Sequence, residues 1–127
     1  MIRLDHLTLS VRDHDISRDW YTRNLGLGVE FEVPARRAVA VRDDADFTLF
    51  LDESHPSGGT ASCALYFQVD SVETKYEELS ARGVSFIHPP SQQYWGYGAE
   101  LADPDGYRVR LWDAASMREK GEARNTS

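Results

Sequence analysis

Residues 10–29, SVRDHDISRDWYTRNLGLGV, and residues 68–86, QVDSVETKYEELSARGVSF, run through the same order of strand end, acidic cap, apolar helix stripe and glycine. The displacement between them is about 55 to 58 residues. Repetition on this scale constrains architecture more than any single element, because each copy builds the same supersecondary unit. Ordinary βα units of unrelated α+β domains also start this way, so the elements after each helix decide between a true repeat and a coincidence.

In the first copy, LDHLTLSV (residues 4–11) places Leu7, Leu9 and Val11 on one face and His6, Thr8 and Ser10 on the other, the alternation of a half-buried strand. Asp13 caps a helix running to about Asn24, with Ile16, Trp20 and Tyr21 on its apolar stripe and Gly26 and Gly28 ending it. Strands come next at 29–33, 38–41 and 47–51, the last two separated by turn-forming Asp43 and Asp44. In the second copy a strand at 64–69 precedes a helix whose capping box is Asp70 with Glu73 and whose apolar face is Val72, Tyr76 and Leu79. After Gly83 come a strand at 84–87 stopped by Pro89 and Pro90, a polar and aromatic loop at 91–96, and a hairpin over 97–112. Its turn is Asp103-Pro104-Asp105-Gly106, which combines a preset φ, self-capping carboxylates and a permissive glycine. Each copy reads β, α, β, β, β.

The expected fold is therefore α+β, with two βαβββ modules forming a curved mixed sheet, helices outside and a central cleft. One domain of residues 1–127 is expected, made of modules 1–54 and 62–114, a Gly, Pro and Ser-rich linker at 55–61 and a flexible tail at 115–127. A chain of 127 residues can bury a core without disulfide or metal staples. Cys63 is the only cysteine and reads as a small buried side chain in a reducing compartment. No apolar run is long enough for a membrane span, and MIRLDHLTLSV does not read as a signal peptide, so the cytoplasm is the expected location. With 21 acidic against 14 basic residues the net charge is −7. That balance, without any basic stripe, disfavours nucleic acid and mildly favours a cationic ligand.

The parity of Leu7, Leu9, Leu65, Phe67, Val109 and Leu111 sets the helix-facing side of the sheet. The opposite side then carries His6, Thr48, Phe50, Tyr66, Gln68, Arg108, Arg110 and Trp112, an assignment that a one-residue bulge would invert. Arg110 either meets an anionic or carbonyl group of a ligand with its rigid donor fork or pairs with a carboxylate such as Glu100 or Glu32. Phe50, Tyr66, Tyr94, Trp95 and Trp112 can stack on a planar ligand, or pack as core and as a dimer interface around 94–97 and 112. His14 and His55 read as solvent residues and His88 as a border of the cleft. No phosphate-cradling loop, nucleophile elbow or Cys/His nucleophile arrangement is present, so no catalytic residue is assigned.

The opening DHLTLSV with its VRD cap, the helix end WYTRNLGL, and WGYGAELADPDGYRVRLWD together resemble the glyoxalase, bleomycin resistance and extradiol dioxygenase superfamily, the vicinal oxygen chelate proteins, over residues 2–113. The resemblance implies paired βαβββ modules. In the family's metalloenzymes it also implies a divalent ion held by His, Glu or Gln from the first and last strands of each module. Those positions are read here as His6, Thr48, Ala64 and Arg110, and only the first suits a metal, since a guanidinium has no acceptor at all. No metal ligand and no cofactor are assigned.

The runs VRDDADFTLFLDES and WGYGAELADPDG resemble the bleomycin resistance branch, which implies dimers that sequester a large cationic antibiotic without chemistry. The expected function is non-catalytic binding and sequestration of a small, partly aromatic organic molecule, such as an antibiotic of the bleomycin type, by a cytoplasmic homodimer. The expected ligand-binding residues are His6, Thr48, Phe50, Tyr66, Gln68, Trp95, Arg110 and Trp112. The alternative is a metal-dependent glyoxalase, epimerase or dioxygenase-like enzyme with an atypical site.

Overall fold

The computed structural model describes residues 1–53 and 63–121; the proposed linker at 55–61 and the chain from 122 onward lie outside the described residues. Two compact units, Met1–Ala61 and Ser62–Ser127, are taken in turn. The first contains β1 (His6–Ser10), α1 (His14–Leu25), β2 (Gly28–Val33), a 3-10 turn at Pro34–Arg36, β3 (Ala38–Arg42) and β4 (Thr48–Asp52). Its sheet has the order β1-β4-β3-β2, with β1 parallel to β4 and the other pairs antiparallel. Parallel neighbours need a long crossover, and α1 lies within the one that runs from β1 to β4.

The helix α1 starts where Asp13 Oδ1 accepts the backbone N–H groups of Asp15 and Ile16 at 3.0 and 3.1 Å. It ends at Gly26, whose φ of 71° only glycine adopts without strain. The helix packs on β3 and β4, whose Val39, Val41, Leu49 and Leu51 are at most 2% exposed. Ser17 and Tyr21, one turn apart, form its fully buried stripe, and Trp20 meets Tyr21 edge-to-face at 4.9 Å. Ile16 does not belong to that stripe, because it lies a residue off the Ser17–Tyr21 line and is 57% exposed.

The second unit repeats the plan with β5 (Ala64–Gln68), α2 (Val72–Ala81), β6 (His88–Gln93), β7 (Gly96–Ala102) and β8 (Arg108–Trp112), then adds α3 (Ala114–Lys120). Its sheet order is β5-β8-β7-β6, again with one parallel pair, β5 with β8. The sheet's buried side is built on Leu65, Leu101, Val109 and Leu111, as the alternation requires. The turn between β7 and β8 forms as its chemistry dictates: Asp103 Oδ1 accepts from the N–H groups of Asp105 and Tyr107, and Gly106 takes a φ of 90°.

Four sequence expectations are corrected in this unit. Ser71, not Asp70, caps α2, its hydroxyl accepting from Thr74 N–H, while Asp113 accepts the N–H of the fully buried Val72 at 2.7 Å. The strand expected at 84–87 is instead β6 at His88–Gln93, which tolerates Pro89 and Pro90 because it is the sheet's edge and its register shifts between His88 and Ser91. The loop expected at 91–96 shrinks to a turn around Tyr94 and Trp95. The tail expected from 115 is helical as far as Lys120, because Asp113 also caps α3 through Ser116 N–H at 2.7 Å. No described helix is long and apolar enough to cross a membrane.

Candidate functional site

In the second unit the register aligns Tyr66, Arg110, Glu100 and His88 in one row across all four strands, on the side of the sheet opposite Val109 and Leu111. Arg110 closes on this row. Its Nε donates to Glu100 Oε1 at 2.8 Å, one terminal nitrogen donates to the Tyr66 hydroxyl, and the other to the Tyr94 hydroxyl at 3.3 Å. Three rings surround the guanidinium carbon, those of Tyr66, Trp95 and Tyr94 at 5.2, 5.4 and 5.5 Å. Burial pulls the Arg110 pKa down, but the hydrogen bonds to Glu100, Tyr94 and Tyr66 outweigh it, so the net shift is upward and the group stays charged. Of the alternatives open in the sequence, Arg110 is therefore paired, and its partner is Glu100.

Trp95 is 8% exposed. Its ring packs on Gly98, where an added Cβ would lie 2.6 Å from Cη2, and meets Tyr66 edge-to-face at 5.6 Å. The expected open stacking wall is thus replaced within this unit by a packed indole, with Tyr94, 79% exposed, as the ring left outside. Gly96 is buried with Trp95 and Tyr97 is half-buried, so Tyr94 is the exposed ring of residues 94–97. Gln68 and Trp112 pair in register at the other end of β5 and β8. At the edge of the row, His88 Nδ1 lies 2.8 Å from the Pro89 carbonyl, which only accepts, so this nitrogen carries the proton. His88 Nε2 is buried and has no hydrogen-bond partner among the described residues.

The first unit holds an open pocket of about 260 Å³, lined by Asp5, His6, Glu30, Phe31, Thr48 and Phe50. Three of the expected binding residues, His6, Thr48 and Phe50, are thereby brought together. The parallel β1–β4 register sets His6 beside Thr48 and Thr8 beside Phe50. The Thr48 hydroxyl donates to Glu30 Oε1 at 2.8 Å, and the rings of Phe31 and Phe50 are 6.1 Å apart. His6 Nδ1 lies 3.2 Å from Asp5 Oδ2, and this hydrogen bond is the main reason the Asp5 carboxyl sits below its usual range. Glu30 and Phe31 escaped the sequence reading because their place depends on a register shift in β2 between Val29 and Phe31.

A third cluster joins the start of α1 to the end of β4. Atoms of Asp13, His14 and Glu53 lie within 4.8 Å of one another, a donor set that can in principle hold a metal ion. Here Glu53 Oε2 accepts from His14 N–H at 2.8 Å and faces His14 Nδ1 at 2.6 Å, while Glu53 Oε1 accepts from Arg37 at 2.8 Å. The Arg37 guanidinium, followed by the His14 contacts, lowers the Glu53 pKa to about 2. The His14 side chain is only 12% exposed, which corrects its reading as a solvent residue. Thirty-nine residues separate it from Glu53, so no short motif could have signalled the contact.

The positions at which the family resemblance implies metal ligands do not fit an ion. Arg110 is a cation bound to Glu100, Ala64 has no donor, and His6 is more than half exposed beside Asp5. Strand for strand, moreover, Arg110 of β8 corresponds to Phe50 of β4 rather than to Thr48, since Phe50 pairs with Thr8 as Arg110 pairs with Tyr66. Phe50 offers no ligand atom either.

Comparison with known proteins places these features. The family model described as Glyoxalase/Bleomycin resistance protein/Dioxygenase superfamily matches residues 3–111. No curated protein matches the sequence. Among solved structures, TnmS3, an antibiotic binding protein from Streptomyces sp. CB03234, is similar with 26% identity and a TM-score of 0.75, over 89% of this chain and 96% of that one. Lactoylglutathione lyase from Agrobacterium tumefaciens is similar with 18% identity and a TM-score of 0.72, over 88% and 93% of the two chains. A possible glyoxalase from Bacillus cereus is 20% identical with a TM-score of 0.72, over 87% and 98%. The last two likenesses concern the fold alone.

Proposed function

Because the chain belongs to the Glyoxalase/Bleomycin resistance protein/Dioxygenase superfamily, we propose that it binds and sequesters a small, partly aromatic organic molecule without turning it over. The observation that carries this reading is the Arg110–Glu100 pair, which occupies a position where the family resemblance implies a metal ligand and surrounds it with rings. Binding needs apolar walls with a few orienting polar groups, and both units supply them; it needs no convergent acceptor set. TnmS3, whose name describes antibiotic binding, supports an antibiotic as the ligand class. The site residues are His6, Thr48 and Phe50 in the first unit and Tyr66, Gln68, Trp95, Arg110 and Trp112 in the second, with Trp95 acting by fixing the Tyr66 and Arg110 side chains. The working form is a cytoplasmic homodimer, which sedimentation at micromolar concentration tests.

The direct experiment is a panel of bleomycin-type and other natural-product antibiotics, followed by tryptophan fluorescence and by mass spectrometry of the recovered ligand. Saturable binding with intact recovery is expected; conversion of any ligand overturns sequestration. A second reading, a metal-dependent enzyme with an atypical site, is favoured by the convergence of Asp13, His14 and Glu53. In that case His14 and the two carboxylates would hold a divalent ion, whose chemistry is to polarise a bound oxygen. Titration with Mn²⁺, Ni²⁺ and Zn²⁺ separates the two: stoichiometric binding lost in His14→Ala supports the metal reading, and its absence supports sequestration.

A further inference from the structure

The two phenols beside Arg110 use only part of what a hydroxyl offers. A phenol oxygen accepts through a lone pair and donates through its one O–H. The Tyr66 and Tyr94 hydroxyls each accept from a terminal nitrogen of Arg110, and neither donates to an acceptor among the described residues. An oxygen that accepts from a guanidinium cannot aim its own proton back at it, so both O–H groups point away from Arg110. Tyr66 is 50% exposed and Tyr94 79%, which leaves both rings within reach of a solute. Because two arms of one rigid, planar fork hold them, the two oxygens stay close together.

The charge behind these donors is unbalanced. Glu100 Oε1 holds Arg110, and the other Glu100 oxygen lies 3.6 Å from Arg108, longer than a hydrogen bond. One carboxylate thus serves two guanidiniums, and the cluster keeps one positive charge in excess. A hydroxyl that accepts from a cation becomes a stronger donor, since hydrogen bonds in a chain polarise one another. Two residues further along the same face, β8 carries the half-buried Trp112.

We infer that the Tyr66 and Tyr94 hydroxyls form a paired donor site for an anionic oxygen, the carboxylate of a flat aromatic acid, with Trp112 as the neighbouring surface for its ring. Arg110 polarises the phenols from behind and does not itself touch the ligand. The inference rests on the small-molecule reading above and names the chemical class of the ligand. It runs against the cationic ligand that the net charge of −7 mildly favours. The local excess decides, because exposed charges more than about 8 Å away are largely screened at physiological salt.

The test uses three probes of one shape with the full-length protein at neutral pH: quinoline-2-carboxylate, quinoline and 1-methylquinolinium, titrated by calorimetry. The carboxylate is expected to bind about tenfold more tightly than quinoline, with the cation weakest, and its affinity should fall with added salt. Tyr66→Phe and Tyr94→Phe each keep the ring and remove one O–H. Each should cut the advantage of the carboxylate over quinoline by about threefold, and the double variant should abolish it. These substitutions also free a terminal nitrogen of Arg110, so a carboxylate that binds the folded Phe variants as tightly as before, or more tightly, makes the guanidinium the donor and overturns the inference. Quinoline or the cation binding the unaltered protein as tightly as the carboxylate overturns it as well, as does no saturable binding of the carboxylate, and this ranking needs no variant to fold. These results leave the sequestration reading standing, which falls only if the antibiotic panel shows conversion or no binding.

Discussion

Replacing Glu100 by leucine tests the account of Arg110 directly. The substitution keeps roughly the same volume but leaves a guanidinium that is only 12% exposed without its counter-charge, and Arg108, whose nearest nitrogen is 3.6 Å from the other Glu100 oxygen, loses its acidic neighbour as well. Breaking a buried pair from one side costs about 3–5 kcal/mol. Two hydroxyls, of Tyr66 and Tyr94, remain as acceptors for the terminal nitrogens, and Tyr94 is 79% exposed to water, so the cost falls at and below the low end of that range, about 2–4 kcal/mol. With a urea slope of about 2 kcal/mol/M, the midpoint of unfolding should fall by about 1–2 M. The Glu100→Leu, Arg110→Met double variant removes both charges and should recover most of the loss, because two apolar groups of matched size replace a matched pair. Ligand binding gives an independent readout: the unpaired Arg110 of Glu100→Leu should gain affinity for quinoline-2-carboxylate, which the double variant should not. A single variant whose midpoint stays within about 0.3 M of the original, or a double variant as unstable as the single, refutes the claim that Glu100 neutralises Arg110.

Three further outcomes are expected. The Glu53 pKa lies at about 2 against an ordinary 4.5, so its contribution to stability is complete above pH 4.5 and is lost as the pH falls toward 2; urea midpoints measured through that window should decline less steeply in Glu53→Gln. Tyr97 donates to Glu73 at 2.6 Å and is partly buried, which raises its pKa from 10 to about 12. Its contribution is therefore present below pH 10 and lost between 10 and 12, so an absorbance titration should find one late-ionising phenol that Tyr97→Phe removes. Gly98→Ala would put a Cβ 2.2 Å from the Leu111 carbonyl oxygen and against the Trp95 ring, and should lower the urea midpoint by about 0.5–1.5 M with loss of near-ultraviolet dichroism.

The parts of the fold legible in the sequence were those in which one local rule acts alone. Strict alternation placed β1, β5 and β8 with the right side inward, and the Asp-Pro-Asp-Gly turn fixed the hairpin between β7 and β8. The elements misread were those in which tertiary context overrides the local signal. Pro89 and Pro90 look like strand breakers, yet an edge strand needs only one side of its backbone to pair. The seven residues of α3 are too few to nucleate on propensity, and it is the Asp113 cap and its packing on β7 that hold them. Asp70 and Ser71 offer equally good caps in the sequence, and only the observed backbone selects Ser71. The expected binding residues fell into two groups for a similar reason. His6, Thr48 and Phe50 share a pocket because their strands are adjacent in register, whereas the fate of Arg110 turned on Glu100, ten residues away on a neighbouring strand.

The two repeats diverge most at the row of residues that contains Arg110. The topology is the same in both units, so Thr8, Phe50, Ala40 and Phe31 occupy across the first sheet the places that Tyr66, Arg110, Glu100 and His88 occupy across the second. In the second row the two central places hold a guanidinium and a carboxylate that satisfy each other, and the flanking rings close over them. In the first, the central places are Phe50 and a fully buried alanine. Ala40 lies in register between Phe50 and Phe31, whose rings are 6.1 Å apart. The same lattice position thus holds a guanidinium paired with Glu100 in one repeat and, in the other, a phenylalanine whose ring lies 5.8 Å from the Arg36 guanidinium. Ala40→Leu adds volume in register between Phe50 and Phe31 and should weaken the binding of any antibiotic that binds in the panel assay, while lowering the urea midpoint by about 0.5–1.5 M, the range expected for an overpacked site. Undiminished affinity in a folded Ala40→Leu protein would show that binding does not depend on side-chain volume in that row.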